Sequence, residues 1–349
     1  MRRSLTLFLS LGITLFFVSF IWQLAEGELV VFLGRVLYSF TNRSFIEVET
    51  LDSAGVPMRY YPKIGVFYDP KLIADEASRM YNTRIAVGRQ ERFELLSNWL
   101  IQHMDANGLV SRYSPRDVVD NGGILEYLDE NELVPQQDNF TKADLTKPWY
   151  STPAQTATMV ALAKRAGQTR DTEILAKARN ILHQLGDTDT GRLSRLEADS
   201  TLWLSSNPGY SLSGMLHSLL DLEEYASLVK DPYAMELLQR GTRALQVQLP
   251  YQEKSGYLHD EYLYLGIRAG HSYLTSLLVE LNAKLPGYPF NSAIQRYDTA
   301  DRAFIFKQLM VRPSLGRFSS FFITWFLLFG IAYCSLRVPK KKRIRKSGT

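Results

Sequence analysis

Residues 149–185, WYSTPAQTATMVALAKRAGQTRDTEILAKARNILHQL, decide how this chain is read. Ala157, Val160 and Leu162 recur through the first half at helical spacing. The pattern stops at Gly167-Gln168-Thr169-Arg170-Asp171 and resumes with Ile174, Leu175, Ala178, Ile181, Leu182 and Leu185. Apolar residues three and four apart on either side of a polar break describe two helices joined by a short turn. About sixty residues later the cycle returns: residues 210–225 supply the first helix, Lys230-Asp231-Pro232 the break, and Met235, Leu238, Gly241 and Leu245 the second. Paired helices at this interval, with strand-like sequence only in the connections, predict a mainly α fold, an α/α toroid or solenoid of helical hairpins whose first helices line the inside.

Outward from this repeat, residues 69–81 (DPKLIADEASRMY) and 92–104 (RFELLSNWLIQHM) are also helical, with Phe93, Leu96, Trp99 and Leu100 on one face. Residues 45–61 are richer in β-branched residues and turns. Residues 105–147, rich in Asp, Asn, Gly and Pro, read as a long irregular stretch, and loops of that length in compact domains are usually functional. Residues 29–40 (LVVFLGRVLYSF) are too short to span a bilayer and too apolar for open solvent, so they extend an anchor or lie at the membrane surface.

The chain's ends differ from its centre. Of 349 residues, 46% are hydrophobic, enough for a large core, and the single cysteine, Cys334, excludes an intramolecular disulfide and any cysteine-rich metal cluster. The net charge is +4, but Arg2, Arg3, Arg337, Lys340, Lys341, Lys342, Arg343, Arg345 and Lys346 flank apolar runs; subtracting those nine leaves −5 for everything between. A nucleic-acid partner, which would need a basic folded surface, is therefore not expected. Residues 5–22 (LTLFLSLGITLFFVSFIW) and 318–336 (FSSFFITWFLLFGIAYCSL) carry no charge and are each long enough to cross a hydrocarbon core as a helix. The cations outside them place both termini in the cytoplasm. The alternative for the first run is a cleaved signal peptide, but its apolar stretch exceeds the usual signal core. The expected organisation is a cytoplasmic start with a first transmembrane helix at 1–25, and a juxtamembrane segment with short strands at 26–59. A periplasmic helical domain follows at 60–312, then a second transmembrane helix at 313–337 and a basic cytoplasmic tail at 338–349, all held at a bacterial inner membrane.

No phosphate loop, GxGxxG, HExxH, GxSxG or CxxC motif occurs. The five histidines are scattered, and His103, His183 and His217 fall within helical periodicity, where packing or a surface position is the ordinary explanation. No metal and no cofactor is expected. Polar and aromatic residues cluster instead at helix entrances and connections: Trp149, Tyr150 and Gln155; Trp203 and Tyr210; then Tyr257, His259, Asp260, Tyr262, Arg268, His271 and Tyr273 in one connection. Aromatic faces rimmed by hydroxyls suit sugar rings, which offer both apolar area and hydrogen bonds.

Five blocks in order, GVFYDPKLIADEASRMY (65–81), LLSNWLIQHMDANGL (95–109), PWYSTPAQTATMVALAKRAGQT (148–169), SLSGMLHSLLDLEEY (211–225) and LLQRGTRALQVQLPYQEKSGYLHDEY (237–262), resemble the C-terminal catalytic domain of D-glucuronyl C5-epimerases. The resemblance implies an (α/α) toroid, here flanked by the two transmembrane helices, and an acidic uronate polysaccharide as substrate. It also implies proton removal and return at C5. Trp149, Tyr150, Gln155, Gly214, Asp260 and His271 match the family pattern. His259 stands where a loop tyrosine is expected, Gly270 and Leu274 replace a tyrosine and a histidine, and WLSSNPGY (203–210) lacks the glutamate-tyrosine pair expected after its tryptophan.

The chemistry the resemblance implies is therefore re-sited, with His259, His271, Tyr257, Tyr262 and Tyr273 as candidate acid/base groups. Trp149, Tyr150, Gln155, Trp203, Tyr210, Asp260 and Arg268 are candidate substrate contacts, Arg268 for the carboxylate. The alternatives are a non-catalytic polysaccharide-binding component of a capsule or exopolysaccharide export assembly, beside a synthase or exporter, and a lyase or hydrolase on the same fold.

Overall fold

The computed structural model describes residues 48–61, 65–83, 88–111, 150–189, 193–197, 201–204, 211–254, 257–258 and 271–301, with a few helical residues between 11 and 41 and between 322 and 330. Contacts divide the chain into two units, Leu37–Asp301 and a second made of Met1–Val36 with Arg302–Thr349. Among the described residues no helix is long and apolar enough to cross a membrane. The two runs expected to span, 5–22 and 318–336, lie almost wholly outside those residues.

The larger unit opens with an antiparallel meander, β1 (Val48–Leu51), β2 (Pro57–Tyr61) and β3 (Gly65–Tyr68), in the register Val48↔Tyr60 and Met58↔Tyr68. Asp52 shapes the first turn: its carboxylate accepts the backbone N–H of Ala54 and Val56 at 2.9 and 2.7 Å and the hydroxyl of Tyr68 at 2.8 Å. β2 straddles the expected domain boundary at residue 60, and its hydrogen bonds tie both sides of that boundary into one sheet.

Four helical hairpins follow among the described residues. They pair α1 (Pro70–Asn82) with α2 (Arg89–Gln102), α3 (Thr152–Thr169) with α4 (Thr172–Gly186), α5 (Leu212–Val229) with α6 (Pro232–Gln248), and α7 (His271–Lys284) with α8 (Asn291–Asp301). The first helices pack in series, α1 on α3, α3 on α5 and α5 on α7, so the chain is a mainly helical array of hairpins, as the repeat predicts. Short strands, β4 (Arg195–Leu196) with β5 (Leu202–Trp203) and β6 (Glu253–Lys254) with β7 (Tyr257–Leu258), occupy the connections.

The local sequence sets the helix ends. Asp69, Asp171 and Asp231 each accept a backbone N–H from the first turn that follows, and Pro70 and Pro232 fill first-turn positions where no N–H is needed. Arg170 and Lys230 sit in the left-handed region (φ 58° and 56°) immediately before Asp171 and Asp231, so the α3–α4 and α5–α6 turns are each a left-handed cap followed by an aspartate cap. That repeated pair of residues is the physical form of the breaks read in the sequence.

Burial separates the two kinds of helix. α4 buries one stripe, Ile174, Ala178, Ile181, Leu182 and Leu185, as an outer helix should. α3 is buried on almost every side because it packs against its hairpin partner and two neighbouring first helices. In α5, Leu212, Leu216, Leu219 and Leu222 are fully buried, and each such side chain contributes about 1.5–3 kcal/mol. Gly241 lets α6 approach closely: a Cβ there would lie 2.8 Å from Leu219.

Candidate functional site

The first helices carry polar residues along one another's facing surfaces. Lys71, Asp75, Ser78, Arg79 and Asn82 recur at three- and four-residue spacing on α1; Thr156 and Lys164 lie two turns apart on α3, and His217, Asp221 and Glu224 recur on α5. A cavity of about 310 Å³ opens where these faces meet, lined by Asp75, Ser78, Arg79, Asn82, Thr83, Ala157, Val160, Lys164, Asp221 and Glu224. It stands at the lower end of the usual small-molecule range.

Two lysines on these faces, of which Lys164 lines the cavity, are already paired. Lys71 Nζ lies 2.9 and 3.0 Å from the carboxylate oxygens of Asp75, one helical turn on, and Lys164 Nζ lies 2.7 Å from Glu224 Oε1. The Lys164 side chain is 1% exposed, its Nζ sits 5.8 Å from the centre of the Tyr81 ring, and Glu224 is the carboxylate that faces it. Arg79 lines the same cavity, and its guanidinium makes no ion pair among the described residues.

Asp221 is the chemically distinctive group. Burial pushes its carboxyl up to about 7; Asp75 and Glu224 push the same way, and Lys71 with the Thr156 hydrogen bond opposes them. Near neutral pH it therefore divides between acid and base. For Lys71, burial works against the charge, but Asp221 and Asp75 outweigh it and raise the ammonium above its ordinary value.

One turn earlier on α5, His217 shares a hydrogen bond between its Nε2 and the hydroxyl of Tyr273 on α7. Burial, then the charges of Lys71 and of Arg59 on β2, lower its imidazole to about 3. It is thus neutral wherever the protein is ordinarily handled. Unfolded chains bind a proton at His217 below about 6.5 and the folded chain does not, so its contribution to stability falls as pH drops from about 6.5 toward 3. The His217 imidazole is expected to show no protonation shift between pH 8 and 5 by ¹H–¹⁵N NMR; a midpoint near 6.5 would refute the packing described.

The residues expected from sequence divide into three groups. Trp149, Tyr210, His259, Asp260, Tyr262 and Arg268 lie outside the described residues. Tyr257 is on β7 and His271 opens α7. Tyr273, read as part of a connection with them, instead stands in the first turn of α7, half-exposed and joined to His217.

Tyr150, Gln155 and Trp203, expected to contact substrate, are engaged by the protein itself. Gln155 is fully buried, its amide accepting the Val110 N–H at 3.1 Å and donating to the Val110 carbonyl at 2.6 Å. It fastens the loop after α2 to α3 and has no surface left for a sugar. Trp203 is 1% exposed within the main core. Tyr150 donates its hydroxyl to Asp105, whose carboxylate also accepts the Asn107 and Leu109 N–H groups. Burial would raise the Asp105 carboxyl, but the hydrogen bonds from Tyr150, Leu109 and Asn107 outweigh it and hold it below the ordinary value.

Lys71, Asp75, Arg79, Thr156, Lys164, Asp221 and Glu224 are not among the site residues expected from sequence, and for His217 the sequence suggests only packing or a surface position. The signal was present as charges at helical spacing on α1, α3 and α5, clearest on α3, which is otherwise buried almost all round. Among the described residues, no three or more His, Cys, Asp or Glu side chains are arranged to hold a metal ion.

No family model matches this chain, and no curated protein matches it. Among solved structures, a selenomethionine derivative of a GH76 alpha-mannanase from Bacteroides thetaiotaomicron is similar over 82% of this chain and 71% of its own, at 12% identity and a TM-score of 0.42. At that level the likeness carries no argument about fold or activity.

Proposed function

We propose that this protein performs acid/base chemistry on an acidic polysaccharide, as a uronate C5-epimerase-like enzyme on a toroidal hairpin array held at the periplasmic face of a bacterial inner membrane. The observation that supports it is the sharing of one cavity by a carboxyl pushed up to about 7, Asp221, and a guanidinium with no ion-pair partner among the described residues, Arg79. Proton removal beside a sugar carboxylate needs a base close to its working pH and a cation for the charge that develops.

In this reading Asp221 exchanges the C5 proton from one side, and Arg79, helped by Lys164, holds the carboxylate and its enolate-like successor. The Tyr273 hydroxyl, hydrogen-bonded to neutral His217, handles the proton on the other face. Tyr273 is retained from the sequence-based set, and His259, Tyr257, Tyr262 and His271 stand as further candidates around the connection that leads into α7. The polymer arrives from a synthase or leaves through an exporter in the same membrane.

The test is incubation of the full-length protein, in detergent, with an unsulfated glucuronate polymer in heavy water, read by NMR at carbon 5. Deuterium at that carbon in a chain of unchanged length supports the reading. Shortened or unsaturated products replace it with a hydrolase or lyase, and a bound polymer without deuterium replaces it with a non-catalytic component of an export assembly.

A further inference from the structure

Thr156 is fully buried on α3, and its Oγ1 lies 2.8 Å from Asp221 Oδ2 and 3.2 Å from the carbonyl oxygen of Pro153. A hydroxyl has one proton to donate and lone pairs with which to accept. Two acceptors within reach of that one proton give the group two arrangements. With Asp221 ionised, the hydroxyl donates to Oδ2. With Asp221 protonated, the carboxyl O–H donates to Thr156 Oγ1, and the threonine proton turns to the Pro153 carbonyl. The carboxyl gains or loses the transferred proton as its O–H bond forms or breaks; at Thr156 itself no covalent bond changes, and its O–H rotates.

We infer that Thr156 is a positioning residue that serves both protonation states of Asp221, so that the carboxyl keeps a fixed orientation whether it is about to accept a proton or to give one. This deepens the proposed function and rests on its assignment of proton transfer to Asp221. Burial, then Lys71 and Asp75 from α1 and Glu224 along α5, act on where Asp221 titrates; Arg79 from α1 and Lys164 from α3 line the same cavity, and His217, joined to Tyr273 of α7, stands one turn earlier on α5. None of these explains why a threonine stands at the contact, because a charge alone does not hold a neutral carboxyl. A threonine that merely bonds back to its own helix is common. It would keep its proton on Pro153 and be indifferent to the state of Asp221.

The experiment is a pH titration of the Asp221 carboxyl by ¹³C NMR in full-length protein, with the resonance assigned by its loss in Asp221→Asn, together with the infrared band of the protonated carboxyl. Thr156→Val removes the hydroxyl at nearly constant volume. It should raise the midpoint by about one unit, since a hydrogen bond to a charged acceptor is worth more than a neutral one, and move the infrared band because the carboxyl O–H loses its acceptor. Thr156→Ser should leave both within a few tenths of a unit and within the band width. Should Thr156→Val fold poorly, Thr156→Ala carries the same expectation. An unmoved midpoint and band in the folded variant overturn the inference. The shift without C5 deuterium in any form of the protein preserves this role of Thr156 and rejects the epimerase reading.

Discussion

Asp221→Asn is expected to abolish C5 exchange, lowering kcat/KM by at least about 100-fold, the lower bound for loss of a positioned acid/base group. An asparagine keeps the shape and the hydrogen bond from Thr156 but cannot exchange a proton. Its effect on stability should have the opposite sign. Folding raises the Asp221 carboxyl from 3.8 to about 7, so the folded chain holds more protons than the unfolded one across that interval. The contribution of Asp221 is therefore fully favourable below about 3.8 and is lost as pH rises through about 7. At pH 8 the variant should melt higher than the parent; that advantage should shrink by pH 5 and vanish only below about 3.8. A variant that loses exchange and also melts lower at pH 8 would mean that Asp221 is an ordinary ion-pair partner of Lys71.

Glu224→Leu should cause the largest loss of stability at the site. It strands the Lys164 ammonium, 1% exposed, without the carboxylate 2.7 Å away. Breaking a buried pair by removing one partner typically costs about 3–5 kcal/mol; because Glu224 is itself 33% exposed, about 2–3 kcal/mol is expected. For a unit of this size that lowers Tm by roughly 5–10 °C. Lys164→Met combined with Glu224→Leu should recover most of the loss, because the penalty lies in the uncompensated charge. A double variant no better than Glu224→Leu alone would place the cost in packing around α5 instead.

The aromatic-rich connections drew attention in the sequence because tyrosine, histidine and tryptophan there are locally dense. Density along the chain is a poor guide to what meets in space. Gln155 and Trp203 stand beside that density and turn inward, one to bond Val110 and the other to fill the core. Asp75, Thr156 and Asp221 are each ordinary on their own helix and come from three separate blocks. Only their helical spacing hinted at a common face.

What the sequence by itself determined is the hairpin array. The apolar stripe of α4, the Arg170-Asp171 and Lys230-Asp231 turns and the Asp-Pro helix starts are decided by neighbours within a few residues, where backbone geometry and capping act. The tertiary structure alone decided the site. The altered titration of Asp221 and His217 arises from burial, from charges that α1 and β2 bring to α5 and from the Thr156 hydrogen bond of α3, and desolvation is a property of the packed interior that no single segment carries.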